Sequence, residues 1–172
     1  VMSKRPHESG SDRIAEAIAD MDVDVVVDVQ GDEPFVRKEP LEKLVRLFDD
    51  PSVQVGSLMR KMTEINDGQN ISEVKVVVNK KMDALYFSRS PIPFIANTSI
   101  DAPYFLHIGV YGFRKNALLD FTNWPAGILE RVEKLEQLRY LENGISIRMA
   151  EVKFESVAID TPEDLEIAKR LL

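Results

Sequence analysis

The sequence predicts an α/β layered fold. Three observations carry that prediction. Apolar β-branched runs alternate with stretches of helical periodicity, turn residues mark the changes of period, and strands and helices interleave along the whole chain. The densest run is Val25-Val26-Val27-Asp28-Val29, which feeds straight into Gln30-Gly31-Asp32-Glu33-Pro34. Such a run reads as a buried strand, and Gly followed three residues later by Pro reads as an abrupt stop.

The elements follow in order. Ser9 is placed to cap a short helix whose apolar face is Ile14, Ala15, Ala17 and Ile18, with Asp12 three residues on in the manner of a capping box. The strand ending at Gln30 comes next. Pro40 suits the first turn of a second helix with Leu41, Leu44, Val45, Leu47 and Phe48 on one face. Asp50-Pro51 leads into a strand over Val53 to Met59. Val74 to Val78 and Ala84 to Phe87 read as strands joined through Asn79-Lys80-Lys81-Met82-Asp83, a hairpin connection. Ser90 to Tyr104, with Pro91, Pro93 and Pro103, reads as an irregular excursion, and Gly109 to Phe113 returns to strand. From Ile128 to Asn143 the residues Leu129, Val132, Leu135, Leu138 and Leu141 recur at three-residue spacing. They predict one long helix with a core-facing stripe, stopped by Asn143-Gly144. Ile145 to Val152 is a strand by composition. Thr161-Pro162-Glu163-Asp164 opens a last helix with a capping residue, a proline at the first helical position and acids in the first turn.

Composition bounds the function classes. With 172 residues, 44% of them hydrophobic, the chain can build one sizeable core, so a single domain over 1–172 is expected. The absence of cysteine excludes disulfides and thiolate metal sites. A net charge of -7 argues against nonspecific nucleic-acid binding; an anionic ligand would need local basic residues or a divalent cation. No apolar run approaches the roughly 20 residues of a bilayer span. The first residue is Val, and the expectation is a chain that starts partway through a longer sequence.

Two carboxylates stand at chain reversals. Asp32 follows a strand, where open α/β sheets place their ligands, and Asp160 stands between an extended segment and a helix cap. If the two segments are neighbours, Asp32 and Asp160 can share one magnesium ion, which prefers oxygen ligands and takes one or two carboxylates beside water or phosphate oxygens. On the residues alone the plainer uses stay open: Asp32 and Glu33 as turn formers, Asp160 as an acid that satisfies a helix N-terminus.

Six blocks in one order carry a resemblance. They are Gln30-Gly31-Asp32-Glu33-Pro34, Val74-Lys75-Val76-Val77, Ala84 to Arg89 with Ile92-Pro93, His107-Ile108-Gly109-Val110-Tyr111, Lys134 to Arg139, and Asp160-Thr161-Pro162-Glu163-Asp164-Leu165. Together with His7 to Arg13, they make the chain resemble the 3-deoxy-manno-octulosonate (Kdo) cytidylyltransferase family, the CMP-Kdo synthetases, over essentially its whole length. The resemblance implies a Rossmann-like nucleotidyltransferase sheet with helices on both faces. It implies a cytoplasmic, magnesium-dependent and typically homodimeric enzyme of lipopolysaccharide synthesis that transfers CMP from CTP to Kdo with release of pyrophosphate. By the same resemblance Asp32 and Asp160 match metal-binding and catalytic aspartates, and Gln30, Arg89, His107, Tyr111, Glu136 and Gln137 match sugar-pocket positions. Arg13 and Lys75 fall near phosphate or the sugar acid, and the excursion over 90–104 is a candidate dimer segment.

The residue types suit that chemistry. A sugar hydroxyl must attack the α-phosphorus of CTP while pyrophosphate leaves, so catalysis rests on positioning and on neutralising growing negative charge. A polyhydroxylated sugar acid calls for a cation at its carboxylate and for polar side chains at its hydroxyls. Taken singly, His107 and Tyr111 also suit structural packing, Glu136 and Gln137 the solvated face of a helix, and Arg89 an ordinary ion pair. The sequence also departs from the family. A nucleotide-binding signature of the form Pro-Ala-Arg-x-x-Ser-x-Arg-Leu-Pro-Gly-Lys does not occur. Phe94-Ile95-Ala96-Asn97 stands where the family often carries an arginine, and Asn70-Ile71-Ser72-Glu73 replaces Asn-Pro-Asn. The expectation is therefore the C-terminal two-thirds of a cytidylyltransferase, its first strand or strands missing and inactive by itself. Two alternatives are a sialic-acid (acylneuraminate) cytidylyltransferase, which shares the layout, and a noncatalytic remnant that only binds or dimerises.

Overall fold

The computed structural model describes residues 3, 6, 7, 9–31, 36–62, 70–100, 102–153, 166, 168 and 169. Helix α1 (Gly10–Ile18) starts at Ser9, whose hydroxyl accepts the Asp12 N–H as the sequence predicts. The Asp12 carboxylate accepts from the Ser9 hydroxyl at 2.8 Å. Strand β1 (Val25–Asp28) is followed by α2 (Lys38–Arg46), which runs into a single 3₁₀ turn over Leu47–Asp49. Next come β2 (Val55–Lys61), β3 (Lys75–Val78), β4 (Ala84–Ser88) and the ten-residue β5 (Phe105–Arg114). Three short helices, α3 (Lys115–Phe121), α4 (Ile128–Glu133) and α5 (Leu138–Glu142), precede β6 (Ile147–Glu151).

The strands form one mixed sheet in the order β4-β3-β5-β2-β6, with β1 also paired to β5. β2 and β6 are parallel; the other pairs are antiparallel. Helices cover both faces. On one, α1, α3 and α5 pack Ala15, Ile18, Leu118, Phe121 and Tyr140 against Val26, Val55, Phe87, Phe113 and Met149. On the other, Leu44 of α2 meets Leu58, Ile108, Val110 and Ala150. The approach of the 3₁₀ turn that ends α2 is close enough to exclude a side chain from the sheet beneath it: a Cβ on Gly112 would lie 2.6 Å from a Phe48 ring carbon.

The structure redraws part of the chain. The long helix expected over Ile128 to Asn143 is two helices, broken at Lys134, which adopts a left-handed conformation with φ 54° while its N–H reaches the Glu130 carbonyl. Leucine spacing does not register the break, because side chains set this turn. Glu142 of α5 accepts the N–H groups of Leu129 and Glu130 at the start of α4, so the two helices fold back on each other. The stripe splits with them: Leu138 is fully buried and Leu135 nearly so, whereas Val132 is 75% exposed. Helix α3 falls between predicted elements. The hairpin of β3 and β4 is present, and residues 90–100 and 102–104 contain neither helix nor strand. The Thr161 cap lies outside the described residues.

Candidate active site

The central strand β5 organises the site because its partners part company along it. On one edge β1 pairs from Arg114 down to Tyr111, with Asp28 opposite Tyr111, while β3 pairs only Leu106 and Phe105. The His107 N–H reaches back to the Val74 carbonyl at 2.8 Å, so among the described residues Ile108 to Val110 have no strand partner on that edge. On the other edge the pairing with β2 is broken by a bulge between Ser57, opposite Tyr111, and Leu58, opposite Ile108. Bulges beside active sites re-aim side chains and end pairing. Here both edges of β5 open at the same place.

Residues predicted from three separate stretches of sequence gather at this opening. The His107 and Tyr111 rings are 5.3 Å apart in a continuous aromatic row, with Phe87 beyond His107 and Phe113 beyond Tyr111. Gln30, just past the end of β1, donates its side-chain amide to the Asp28 carboxylate at 2.6 Å. The first turn of α1 faces the same region. A Cβ on Gly10 would stand 3.9 Å from the Gln30 amide nitrogen, and the Ser11 hydroxyl donates to the Glu136 carboxylate at 2.9 Å. Glu136 and Gln137 occupy the turn between α4 and α5, with Gln137 buried. The broken helix thus carries them to the site, where a continuous one would have presented them on its flank.

That turn is held by a buried lock. Arg139 makes a bidentate pair with Glu130 at 2.7 and 2.5 Å, donates to the Trp124 carbonyl and lies 4.1 Å over the Phe121 ring. Tyr140, next along α5, stacks between Phe113 and Phe121 and joins the lock to the aromatic row.

Electrostatics follow from burial and from the acids. Burial takes the His107 imidazole down to about 3 from its ordinary 6.5, so the ring is neutral at physiological pH. The Tyr111 phenol is held well above its usual value by burial, with the Glu136 and Asp28 carboxylates adding to the effect. The site therefore offers neutral donors and acceptors beside carboxylates, the set that suits hydroxyl groups.

The two predicted cations form a second group. Lys75 is fully buried, and its ammonium donates to the carbonyls of Asn70 and Glu73 at 2.8 and 2.7 Å; burial lowers its pKa. Arg89 donates to the carbonyls of Ile71, Glu133 and Lys134, while its N–H meets the Glu133 carboxylate. Both brace residues 70–73, the stretch that departs from the family pattern, and Arg89 ties it to the end of α4. In this geometry they act as struts. Arg13 is exposed on α1. Asp32 and Asp160 lie outside the described residues. Among the described residues no group of three or more His, Asp or Glu is arranged to hold a metal ion.

Sequence reasoning passed over Ser57, Ser11, Asp28 and the Glu130–Arg139 pair. Only Ser57 carried a signal, as a hydroxyl within the apolar run from Val53 to Met59, where a polar side chain must find an internal partner.

Comparison with known proteins identifies the family. A family model for cytidylyltransferases matches residues 1–149. The 3-deoxy-manno-octulosonate cytidylyltransferase of Flavobacterium johnsoniae is 52% identical over 175 residues, covering 100% of this chain and 72% of the relative. The enzyme of the same name from Christiangramia forsetii is 50% identical, covering 100% and 71%. Among solved structures, CMP:2-keto-3-deoxy-manno-octonic acid synthetase complexed with CTP matches with a TM-score of 0.93 at 39% identity, over 99% of this chain and 70% of that one. By the family model, by these relatives and by the shared fold, the chain belongs to the 3-deoxy-manno-octulosonate cytidylyltransferase family.

Proposed function

We propose that this protein transfers CMP from CTP to 3-deoxy-manno-octulosonate, forming CMP-Kdo and pyrophosphate for lipopolysaccharide synthesis. The observation that carries the reading is the convergence of Gln30, His107, Tyr111 and Glu136 on the opening of β5. Three segments distant in sequence deliver the polar set a polyhydroxylated sugar needs. Glu136, fixed by Ser11, accepts sugar hydroxyls, as does neutral His107; the Tyr111 phenol and the Gln30 and Gln137 amides supply donors. The solved neighbour's complex with CTP supports the nucleotide half of the reaction.

Magnesium suits the donors that the family assigns to it. Asp32 and Asp160 are hard oxygen ligands, and the chain has no cysteine to draw a softer ion. A magnesium ion held there would lower the charge on the phosphates and orient them for in-line attack. The chain's own residues supply the rest, holding the sugar at a fixed distance from the α-phosphorus. A cytoplasmic homodimer, with residues 90–104 at its interface, completes the reading.

The test is turnover. A version of the chain carrying the family's nucleotide-binding signature, given CTP, Kdo and magnesium, is expected to release pyrophosphate and CMP-Kdo; the 172 residues alone are expected to be silent. Preference for acylneuraminate over Kdo would move the assignment to the sialic-acid enzymes. No product from either sugar would leave a noncatalytic binding role.

A further inference from the structure

The Ser57 hydroxyl has three neighbours and one proton. It lies 3.0 Å from the Val110 carbonyl, 3.3 Å from the Ile108 carbonyl and 3.0 Å from His107 Nε2, in a fully buried position on β2. The two carbonyls flank Gly109 at the bulge, where the pairing of β2 with β5 shifts and leaves residues of β5 without an opposite number. Buried carbonyls require a donor, and the Ser57 proton is the one at hand. A carbonyl only accepts, so once the Ser57 proton is committed to Val110, the hydroxyl oxygen faces His107 as an acceptor. The imidazole must then donate from Nε2. Among the described residues the ring makes no second hydrogen bond; it stands between the rings of Phe87 and Tyr111, beside the opening of β5.

We infer that Ser57 is a positioning residue: it holds His107 in the tautomer protonated at Nε2, which presents Nδ1 to the sugar as a hydrogen-bond acceptor. The inference rests on the sugar-binding reading above and adds a direction to it. An acceptor at Nδ1 selects a ligand that offers a hydroxyl there and disfavours one that offers a carbonyl or carboxylate oxygen. It also gives the bulge a use. The irregular pairing that opens the site brings two β5 carbonyls to the Ser57 hydroxyl, and their claim on its proton sets the tautomer.

The chain contains only two histidines, His7 and His107, so long-range ¹H–¹⁵N correlation of the imidazole nitrogens reads the tautomer directly, with His107→Gln assigning the signals. The expected spectrum of the wild type is a single neutral form protonated at Nε2. In Ser57→Ala the same ring should shift toward a mixture of tautomers. In the turnover-competent version, the same substitution should raise KM for Kdo about tenfold, the scale of one lost hydrogen bond, with KM for CTP unchanged. Protonation at Nδ1 in the wild type would overturn the inference, even if Ser57→Ala does not fold. So would an unchanged tautomer in Ser57→Ala, or an altered tautomer with an unchanged KM for Kdo. Failure of the functional reading looks different: no CMP-Kdo from the wild type, while its tautomer remains as expected.

Discussion

His107 shows how burial converts a titratable side chain into a fixed one. Packed between two aromatic rings on the central strand, it is neutral down to about pH 3, where an exposed imidazole would take up its proton near 6.5. Between those values the unfolded chain binds a proton that the folded chain refuses. Stability contributed by the neutral ring is therefore full above about pH 6.5 and falls as the pH drops toward 3, by at most about 1.4 kcal/mol per pH unit. His107→Gln removes the proton-binding group from both states, so its stability should depend less on pH in that window, whatever its absolute value. Urea unfolding of both proteins at several values between pH 4.5 and 7.5 measures the difference in slope, to which carboxylates common to both make no contribution. Parallel profiles would mean that His107 takes up its proton in the folded state. Sequence alone left this residue between a structural and a functional use, because neither burial nor its Ser57 partner is visible in His-Ile-Gly-Val-Tyr.

At the scale of elements, the consequential feature is the break between α4 and α5. Leucines at three-residue spacing predicted a single helix because the pattern records which residues are apolar and nothing of what the charged ones do. Glu142 caps the start of α4, and Arg139 clasps Glu130 across the pair. With the helices folded on each other, Glu136 and Gln137 sit at the apex. The Arg139 and Glu130 side chains are only 9% and 10% exposed, so removing one partner strands the other's charge in the interior. Arg139→Met should cost about 3–5 kcal/mol, the usual range for breaking a buried pair. Replacing both residues by Met removes both desolvated charges, so the double variant should lose much less than the sum of the single changes. Denaturant unfolding of the four proteins in the cycle measures the coupling. Additive losses would show that the two side chains act independently and that something else holds the apex.

For the whole molecule, the alternation of strands and helices and the order of the sequence blocks were legible, since β1 and β3 follow from dense β-branched runs, the other strands from apolar stretches between turn residues, and each block survives as a local string. What brings the blocks together was not. It depends on β1 and β3 leaving β5 at different points and on the bulge opposite, features set by pairing between distant segments. The metal site is the remaining step at this scale. Among the described residues no cluster of three His, Asp or Glu could cage a cation. Magnesium rarely needs one: it binds through one or two carboxylates and completes its shell with water and substrate phosphates. A site built on Asp32 and Asp160 should therefore bind metal weakly until CTP arrives. Manganese, read by its electron paramagnetic resonance, is a probe that does not depend on turnover. In the version carrying the nucleotide signature, CTP should tighten manganese binding by at least an order of magnitude, since the phosphates supply part of the shell. Asp32→Asn or Asp160→Asn should remove that gain and abolish metal-dependent release of pyrophosphate. Tight manganese binding without CTP would point to a ligand set richer than two aspartates, and near-normal turnover in both variants would place the metal elsewhere.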